Sequence, residues 1–357
     1  MVKKIQVGNH VVGDGEPCYI IAEAGVNHNG DPERAKSLID TAVESGADAI
    51  KFQTFKADSV VTRNAKKASY QKTTTGSKGS QYDLIHKLEL SFDVFSELKR
   101  YSEQKKIDFL STPFDLESVD FLDEIGVSAF KIPSGEINNV TLLKKISQKH
   151  KPIFLSTGMS TLGEVEQAVN VITKEGNTNI ILLHCVTNYP AAVRDVNLRA
   201  MDTMHLAFGY PVGYSDHTLG ITIPIAAVSR GACLIEKHFT LDKTLLGPDH
   251  KASLEPAELT LMVEAIRDVE ASLGSGIKAP TPAEIENKKV IRRSIVTTTD
   301  IPLHSIITSD QVTTKRPGTG ISPEYLPMII GSITARKIKK DTILSWTDMI
   351  CVDKYGE

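Results

Sequence analysis

The stretch YIIAEAGVNHNGDPERAKSLIDTAVESGADAIKFQ, residues 19–53, decides how the rest of the chain is read. It opens with an apolar, strand-length run that reaches a single carboxylate, Glu23. Asp31 then supplies a helix cap, Pro32 suits the first helical turn, and Gly46 closes the helix. Ser45-Gly-Ala-Asp48 leads directly into a second strand. The same alternation continues to residue 273. Strands are expected at about 19–24, 48–53, 108–112, 129–134, 152–156, 180–185, 211–215 and 233–238. Helices are expected at about 32–45, 92–106, 116–125, 141–149, 161–175, 197–207, 220–230 and 256–273. Eight βα units in about 275 residues predict an α/β fold, a closed (β/α)8 barrel of the TIM type. An open doubly wound sheet is the alternative, but no glycine-rich GxGxxG turn follows the first strand.

Working outward, residues 55–91 form a long insertion, polar between Thr62 and Ser80, of the kind that covers or shapes a site. After Leu273 the alternation stops. Gly274 to Pro282 has the glycine and proline content of a linker. The expected organisation is a barrel over 1–275, a linker over 276–293 and a small, mostly β domain over 294–357.

The whole chain of 357 residues is 41% hydrophobic and 24% charged, with a net charge of −3. This excludes extensive disorder and gives no basic excess for nucleic acid. The longest apolar runs, such as Ile180 to Cys185, fall far short of the roughly 18 residues that span a bilayer. No apolar signal segment follows Met1, so a cytoplasmic protein is expected. Cys18, Cys185, Cys233 and Cys351 are widely spaced, without a CxxC pair, and are expected to be reduced, buried thiols.

In a barrel the C-terminal strand ends converge on one mouth. Here all eight ends are polar: Glu23; Lys51 and Gln53; Ser111 and Thr112; Lys131, Ser134 and Glu136; Ser156 and Thr157; His184 and Thr187; Ser215 and His217; Glu236 and His238. Unpaired buried polar groups are costly, so a purely structural barrel has no use for this pattern. Residues two apart share a face, so Ser215 pairs with His217 and Glu236 with His238. If the seventh and eighth strands are neighbours, the two histidines can converge on one divalent ion, with water or substrate oxygens completing its shell. The alternative is two unrelated histidines. Lys51 and Lys131, with Ser134, Ser156, Gly135 and Gly158, suit a phosphate or carboxylate. Their alternatives are internal ion pairs with Glu23 or Glu236, or a Schiff-base role. Gly247-Pro-Asp249-His250 brings an acid near the mouth or is simply a polar turn, and Lys315-Arg316-Pro-Gly318 is either a solvated turn or a loop whose planar cation reaches a ligand.

Taken in order, Glu23-Ala-Gly-Val-Asn-His-Asn-Gly30, Lys51-Phe-Gln-Thr54, Ser111-Thr-Pro-Phe114, Lys131-Ile-Pro-Ser-Gly-Glu136, Ser156-Thr-Gly-Met159, Ser215-Asp-His217, Glu236-Lys-His-Phe239 and Gly247-Pro-Asp-His250 resemble the sialic acid synthase family. The resemblance covers nearly the whole chain, and residues 294–351 look like the family's antifreeze-like SAF domain. It implies condensation of phosphoenolpyruvate (PEP) with an open-chain N-acetylated mannosamine-type sugar, giving a nine-carbon 2-keto acid and phosphate. It also implies a domain-swapped homodimer and a divalent metal, Mn²⁺ or Mg²⁺, on His217 and His238. Carried over residue by residue, Lys51, Thr112, Lys131, Ser134 and Ser156 match the PEP positions. Glu23, Gln53, Tyr189 and Asp249 match the sugar positions, and Arg316 matches an arginine that reaches the partner's site. Thr187 and Ser215 join them as substrate-binding candidates, and Glu136 and Glu23 as candidates for proton transfer. Where some members read Thr-Asn after His184-Cys185, this chain reads Val186-Thr187-Asn188, which displaces the asparagine by one position.

The expected activity is N-acetylneuraminate synthase. The alternative is a legionaminate synthase acting on 2,4-diacetamido-2,4,6-trideoxymannose, towards which the run from Gly247 to Pro256 and the Glu23 to His28 start lean. Two readings of other classes are a pyruvate aldolase working through Lys51 or Lys131 and a carbohydrate- or ice-binding protein suggested by the small domain.

Overall fold

In the computed structural model, which describes residues 3–76 and 78–350, the alternation of strand and helix becomes a ring of eight parallel strands. They are β1 Tyr19–Gly25, β2 Ala49–Thr54, β3 Asp108–Pro113, β4 Phe130–Ile132, β5 Ile153–Ser156, β6 Ile180–Cys185, β7 Val212–Asp216 and β8 Leu234–His238. The helices that follow them are α1 Pro32–Glu44, α2 Phe92–Lys105, α3 Leu116–Glu124, α4 Val140–Ser147, α5 Leu162–Lys174, α6 Arg199–Phe208, α7 Thr222–Ser229 and α8 Pro256–Leu273. β8 pairs with both β7 and β1, which joins the end of the ring to its start. β3 and β4 are neighbours without a ladder between them, so the barrel is nearly closed.

Local chemistry accounts for the boundaries. The Asp31 carboxylate accepts from the Glu33 and Arg34 amides at the start of α1, and Gly46 turns the chain out of it at φ +76°. Thr161 and Glu164 form a capping box on α5. Side-chain alternation then sorts each strand into two faces. The outward set, including Ile20, Ala22, Ile50 and Phe52, packs beneath the helices. The inward set fills the lower lumen with Tyr19, Ile21, Ala49, Leu110, Ala129, Phe154, Ile181, Leu183 and Leu234. The next inward position is polar on every strand but β6, where it is Cys185; the expected His184 faces the other way and meets the Val196 carbonyl at 2.6 Å.

The lumen has a floor that the sequence reading did not anticipate. A hairpin, Lys4–Val7 paired with His10–Gly13, adds Ile5, Val7 and Val12 to the inward cluster. The 55–91 insertion contains three short helices, Ala57–Val60, Ser69–Thr75 and Gln81–Leu88. Val26, Phe55 and Leu88, with Val60, Leu84, Ile85 and Phe114, form a separate apolar cluster there.

The chain divides into two units after Gly274. In the second, the stretch read as a linker holds a helix, Pro282–Ile291, because Thr281 and Glu284 make a capping box and Pro282 occupies its first turn. Two small antiparallel ladders follow, Ser294–Thr297 with Val312–Lys315 and Ile333–Thr334 with Met349–Ile350. Ile295, Ile301, Ile307, Val312, Ile321, Ile329, Ile338 and Leu344 form their core. Cys18, Cys185 and Cys233 are buried free thiols. Cys351 and the rest of 351–357 lie outside the described residues. Among the described residues no helix is long and apolar enough to cross a membrane.

Candidate active site

A cavity of about 350 Å³ opens at the C-terminal ends of the strands, within the size range of small-molecule sites. Glu23, Lys51, Gln53, Thr112, Lys131, Ser134, Glu136, Ser156, Thr187, Tyr189, Ser215, His217, His238 and Asp249 all line it. Arg316 belongs to the second unit.

The cavity floor is a buried cluster of two lysines and two glutamates. Lys51 Nζ lies 2.7 Å from Glu23 Oε2 and 3.7 Å from Glu236 Oε2, and donates to Thr112 Oγ1 at 3.0 Å. Lys131 Nζ donates to both Glu236 oxygens, at 2.6 and 2.7 Å, and Ser215 Oγ donates to Glu236 Oε1 at 2.9 Å. The ion-pair alternative for the lysines and their place in a cavity therefore hold together. Burial acts to raise the Glu236 carboxyl, but the Lys131 and Lys51 charges and the Ser215 bond outweigh it and hold it well below the usual range. Glu23 is pushed the other way, up to about 7, by burial and the nearby Glu236 charge against the opposing pull of Lys51. A carboxyl titrating there suits a group that holds or yields a proton near neutrality. Glu236 is the hub of this cluster. The sequence reading placed it at the mouth, on one face with His238, but gave it no role beyond that of an ion-pair partner.

The histidine motifs split by alternation. In Ser215-Asp216-His217 and Glu236-Lys237-His238 the outer members of each triplet line the cavity. The middle members lie on the other face, where Lys237 pairs with Asp216 and donates to the Thr218 carbonyl. Tyr214 and Thr218 also donate to Asp216. This network ties the ends of β7 and β8 together. The His217 and His238 rings are 5.6 Å apart, with the Tyr189 ring 4.1 Å from the first and 5.7 Å from the second. His217 Nδ1 meets the Val186 carbonyl at 2.7 Å, which requires a proton on Nδ1 and leaves Nε2 as the lone-pair nitrogen. Burial pushes His217 down to about 4 and His238 well below the ordinary value, so both are neutral at pH 7. His238 Nδ1 is buried without a hydrogen-bond partner among the described residues. Neutral imidazoles, one anchored by a carbonyl and one with an orphaned nitrogen, fit a divalent ion. Among the described residues no group of three or more His, Cys, Asp or Glu side chains gathers in ligating geometry. The protein would thus supply two ligands and leave the remaining positions to water or substrate.

Around this centre, Ser134 Oγ lies 3.0 Å from Cys185 Sγ and accepts from the Gly158 amide at 2.9 Å. A Cβ at Gly158 would lie 2.2 Å from Thr187 Oγ1, so glycine is required for that approach. Thr187, not the displaced Asn188, lines the cavity. Glu136 sits in a single 3-10 turn and accepts from Asn139 Nδ2 at 2.7 Å. Burial pushes Asp249 up to about 6. The Asn27-His28-Asn29 segment serves the scaffold. Asn27 Nδ2 donates to the Phe239 carbonyl at 2.7 Å and to Ser253 Oγ at 3.0 Å. His250 lies 2.7 Å from Thr240 Oγ1 and 3.2 Å from Asn29 Oδ1. These bonds clasp the first βα loop to the loop that carries Asp249. The insertion adds a largely apolar part of the lining, Phe55, Val60, Leu84, Ile85 and Leu88, together with Gln71 and Gln81. The sequence reading assigned the insertion a covering role without naming these residues.

The chain is similar to known proteins over most of its length. Residues 38–278 match the NeuB family and residues 292–349 match the SAF domain. An N,N'-diacetyllegionaminic acid synthase from Campylobacter jejuni is 51% identical over 327 residues, covering 91% of this chain and 98% of the relative. One of the same name from Legionella pneumophila is 47% identical, covering 94% of this chain and 95% of the relative. Among solved structures, an N-acetylneuraminic acid (sialic acid) synthetase from Leptospira borgpetersenii in complex with citrate superimposes with a TM-score of 0.71 at 38% identity. That match covers 80% of this chain and 95% of the other.

Proposed function

The chain belongs to the NeuB family of nonulosonic acid synthases, and we propose that it joins PEP to open-chain 2,4-diacetamido-2,4,6-trideoxymannose to give a legionaminate-type product and phosphate. The observation that carries the reaction class is the buried Lys51–Glu23 and Lys131–Glu236 cluster beneath a ring of hydroxyls. The two legionaminic acid synthases at 51% and 47% identity favour the deoxy sugar over N-acetylmannosamine. The expectation of an N-acetylneuraminate synthase gives way to its alternative on that ground.

PEP brings about three negative charges, and two lysines with Thr112, Ser134 and Ser156 give it cations and donors. Before PEP arrives, Glu23 and Glu236 hold both amines in place. Amines engaged by carboxylates are poor Schiff-base nucleophiles, which weighs against a pyruvate aldolase. C3 of PEP attacks the aldehyde carbon, water adds to C2, and phosphate leaves from the tetrahedral intermediate. In this reading Glu136, which accepts from Asn139, takes the proton from that water, and Glu23, which accepts from Gln53, serves the sugar side. Tyr189 and Asp249 orient the acceptor. An Mn²⁺ or Mg²⁺ ion held by His217 and His238 would supply a Lewis acid for the aldehyde oxygen.

The active form in this reading is a domain-swapped homodimer in which Arg316 reaches the partner's cavity. Its support is the exposed apolar surface of the second unit, notably Ile285, Val290, Ile291, Ile306 and Trp346. The deciding experiment measures phosphate release from PEP with Mn²⁺, using each sugar separately and recording product masses. Strong preference for the trideoxy sugar supports the proposal, and preference for N-acetylmannosamine refutes the choice of acceptor.

A further inference from the structure

The cavity is chemically two-sided. Part of the lining is the charged cluster and the hydroxyls, and part is the apolar surface that the insertion supplies. Helix Gln81–Leu88 lays one face along it, with Gln81, Leu84, Ile85 and Leu88 at spacings of three, four and seven residues. Tyr82, Asp83, His86 and Lys87 stay outside. Leu84, Ile85 and Val60 are only half-buried, so their apolar surface is open to a ligand.

We infer that Leu84, Ile85 and Val60 are the specificity-determining surface for the acceptor, taking the methyl-bearing end of a 6-deoxy acetamido sugar and rejecting a 6-hydroxyl. This rests on the reaction proposed above. PEP must lie among the lysines and hydroxyls, and the aldehyde carbon must meet it there. The far end of the six-carbon chain, which must lie away from the charged cluster, is then assigned to the apolar part of the same lining. A hydroxyl placed against Val60, Leu84 and Ile85 loses its water and gains no partner, whereas a methyl group loses nothing. Gln81, at the head of the stripe, has the donor and acceptor that an acetamido group needs. An apolar wall of this kind discriminates by about 10–100-fold.

The test uses the full-length protein with L84N, I85T and the near-isosteric V60T. For each, kcat/KM is measured with the trideoxy sugar and with N-acetylmannosamine, together with the KM for PEP and a circular dichroism spectrum. The wild type should favour the trideoxy sugar by at least about 10-fold. In L84N and I85T that ratio should fall by about 10-fold, mainly through a higher KM for the trideoxy sugar, and in V60T by about threefold. The KM for PEP should stay within about twofold of wild type, because the anion side is untouched. An unchanged ratio in folded, active variants, V60T included, overturns the wall assignment alone. A wild type that turns over neither sugar overturns the proposed reaction and this inference with it.

Discussion

Replacing Lys131 with methionine separates the structural and chemical duties of the buried cluster. Lys131 Nζ sits 2.6 and 2.7 Å from the two Glu236 oxygens, and both side chains are nearly sealed from water. Removing one partner of such a pair costs about 3–5 kcal/mol, because the other charge is stranded. Here Ser215 at 2.9 Å and Lys51 at 3.7 Å still face Glu236, which puts the loss near the lower end, about 3 kcal/mol. For a barrel of this size that is roughly 6–12 °C in Tm. The double variant K131M/E236M removes the stranded charge and fills the volume, so about 2 kcal/mol of the loss should return. Affinity for PEP should not return. Both variants lose a buried cation from the proposed PEP site, a weakening of about 100-fold or more. Differential scanning calorimetry gives the first quantity and titration calorimetry with PEP the second. A single variant within about 0.5 kcal/mol of wild type, or a double variant that binds PEP normally, refutes the reasoning.

Other consequences follow from the same geometry. H217N and H238N should each abolish tight Mn²⁺ binding, read from the free-ion electron paramagnetic resonance signal, without unfolding the barrel; retained binding in either variant contradicts the two-histidine site. Burial raises Asp249 from 3.8 to about 6, so its contribution to stability is full below 3.8 and lost as pH rises through 6. D249N should therefore be more stable than wild type by roughly 3 kcal/mol at pH 8, with a gain that shrinks as pH falls towards 4; a pH-independent difference would count against that placement. If the proposed swapped dimer holds, R316A should remain dimeric in sedimentation yet lose about 100-fold in kcat/KM for the sugar; near-normal turnover argues against a swapped domain.

Much of the barrel was legible because its strands are buried on both faces and bounded by helix caps such as Asp31 and Thr161. The mouth was legible for a simpler reason. Period-two alternation carries Ile21 to Glu23, Ala49 to Lys51 and Leu234 to Glu236 on one face, so polarity at strand ends points inward. Glu236 was underread because its pairing with lysine looked sufficient as an explanation. The hairpin floor escaped because Lys4 to Gly13 is short and mixed in polarity, and only the barrel's need for a plug gives Ile5, Val7 and Val12 their meaning. The helix inside 276–293 was hidden by surrounding glycines and prolines, although Thr281-Pro-Ala-Glu284 is a capping box. The stripe at Gln81, Leu84, Ile85 and Leu88 has plain helical spacing, but nothing local says that its face meets a cavity 30 residues from the nearest charged strand end. That meeting, on which the inferred choice between methyl and hydroxyl rests, is visible only in the folded chain.

The measurement that bears most directly on the account is the fate of the bridging oxygen of PEP. With that oxygen labelled as ¹⁸O and either active sugar as acceptor, the label should appear in the released phosphate, and the keto oxygen of the nine-carbon product should come from solvent water. Label retained in the keto acid, with unlabelled phosphate, would mean that water attacks phosphorus, and the roles given to the lysine–glutamate cluster and Glu136 would have to be abandoned.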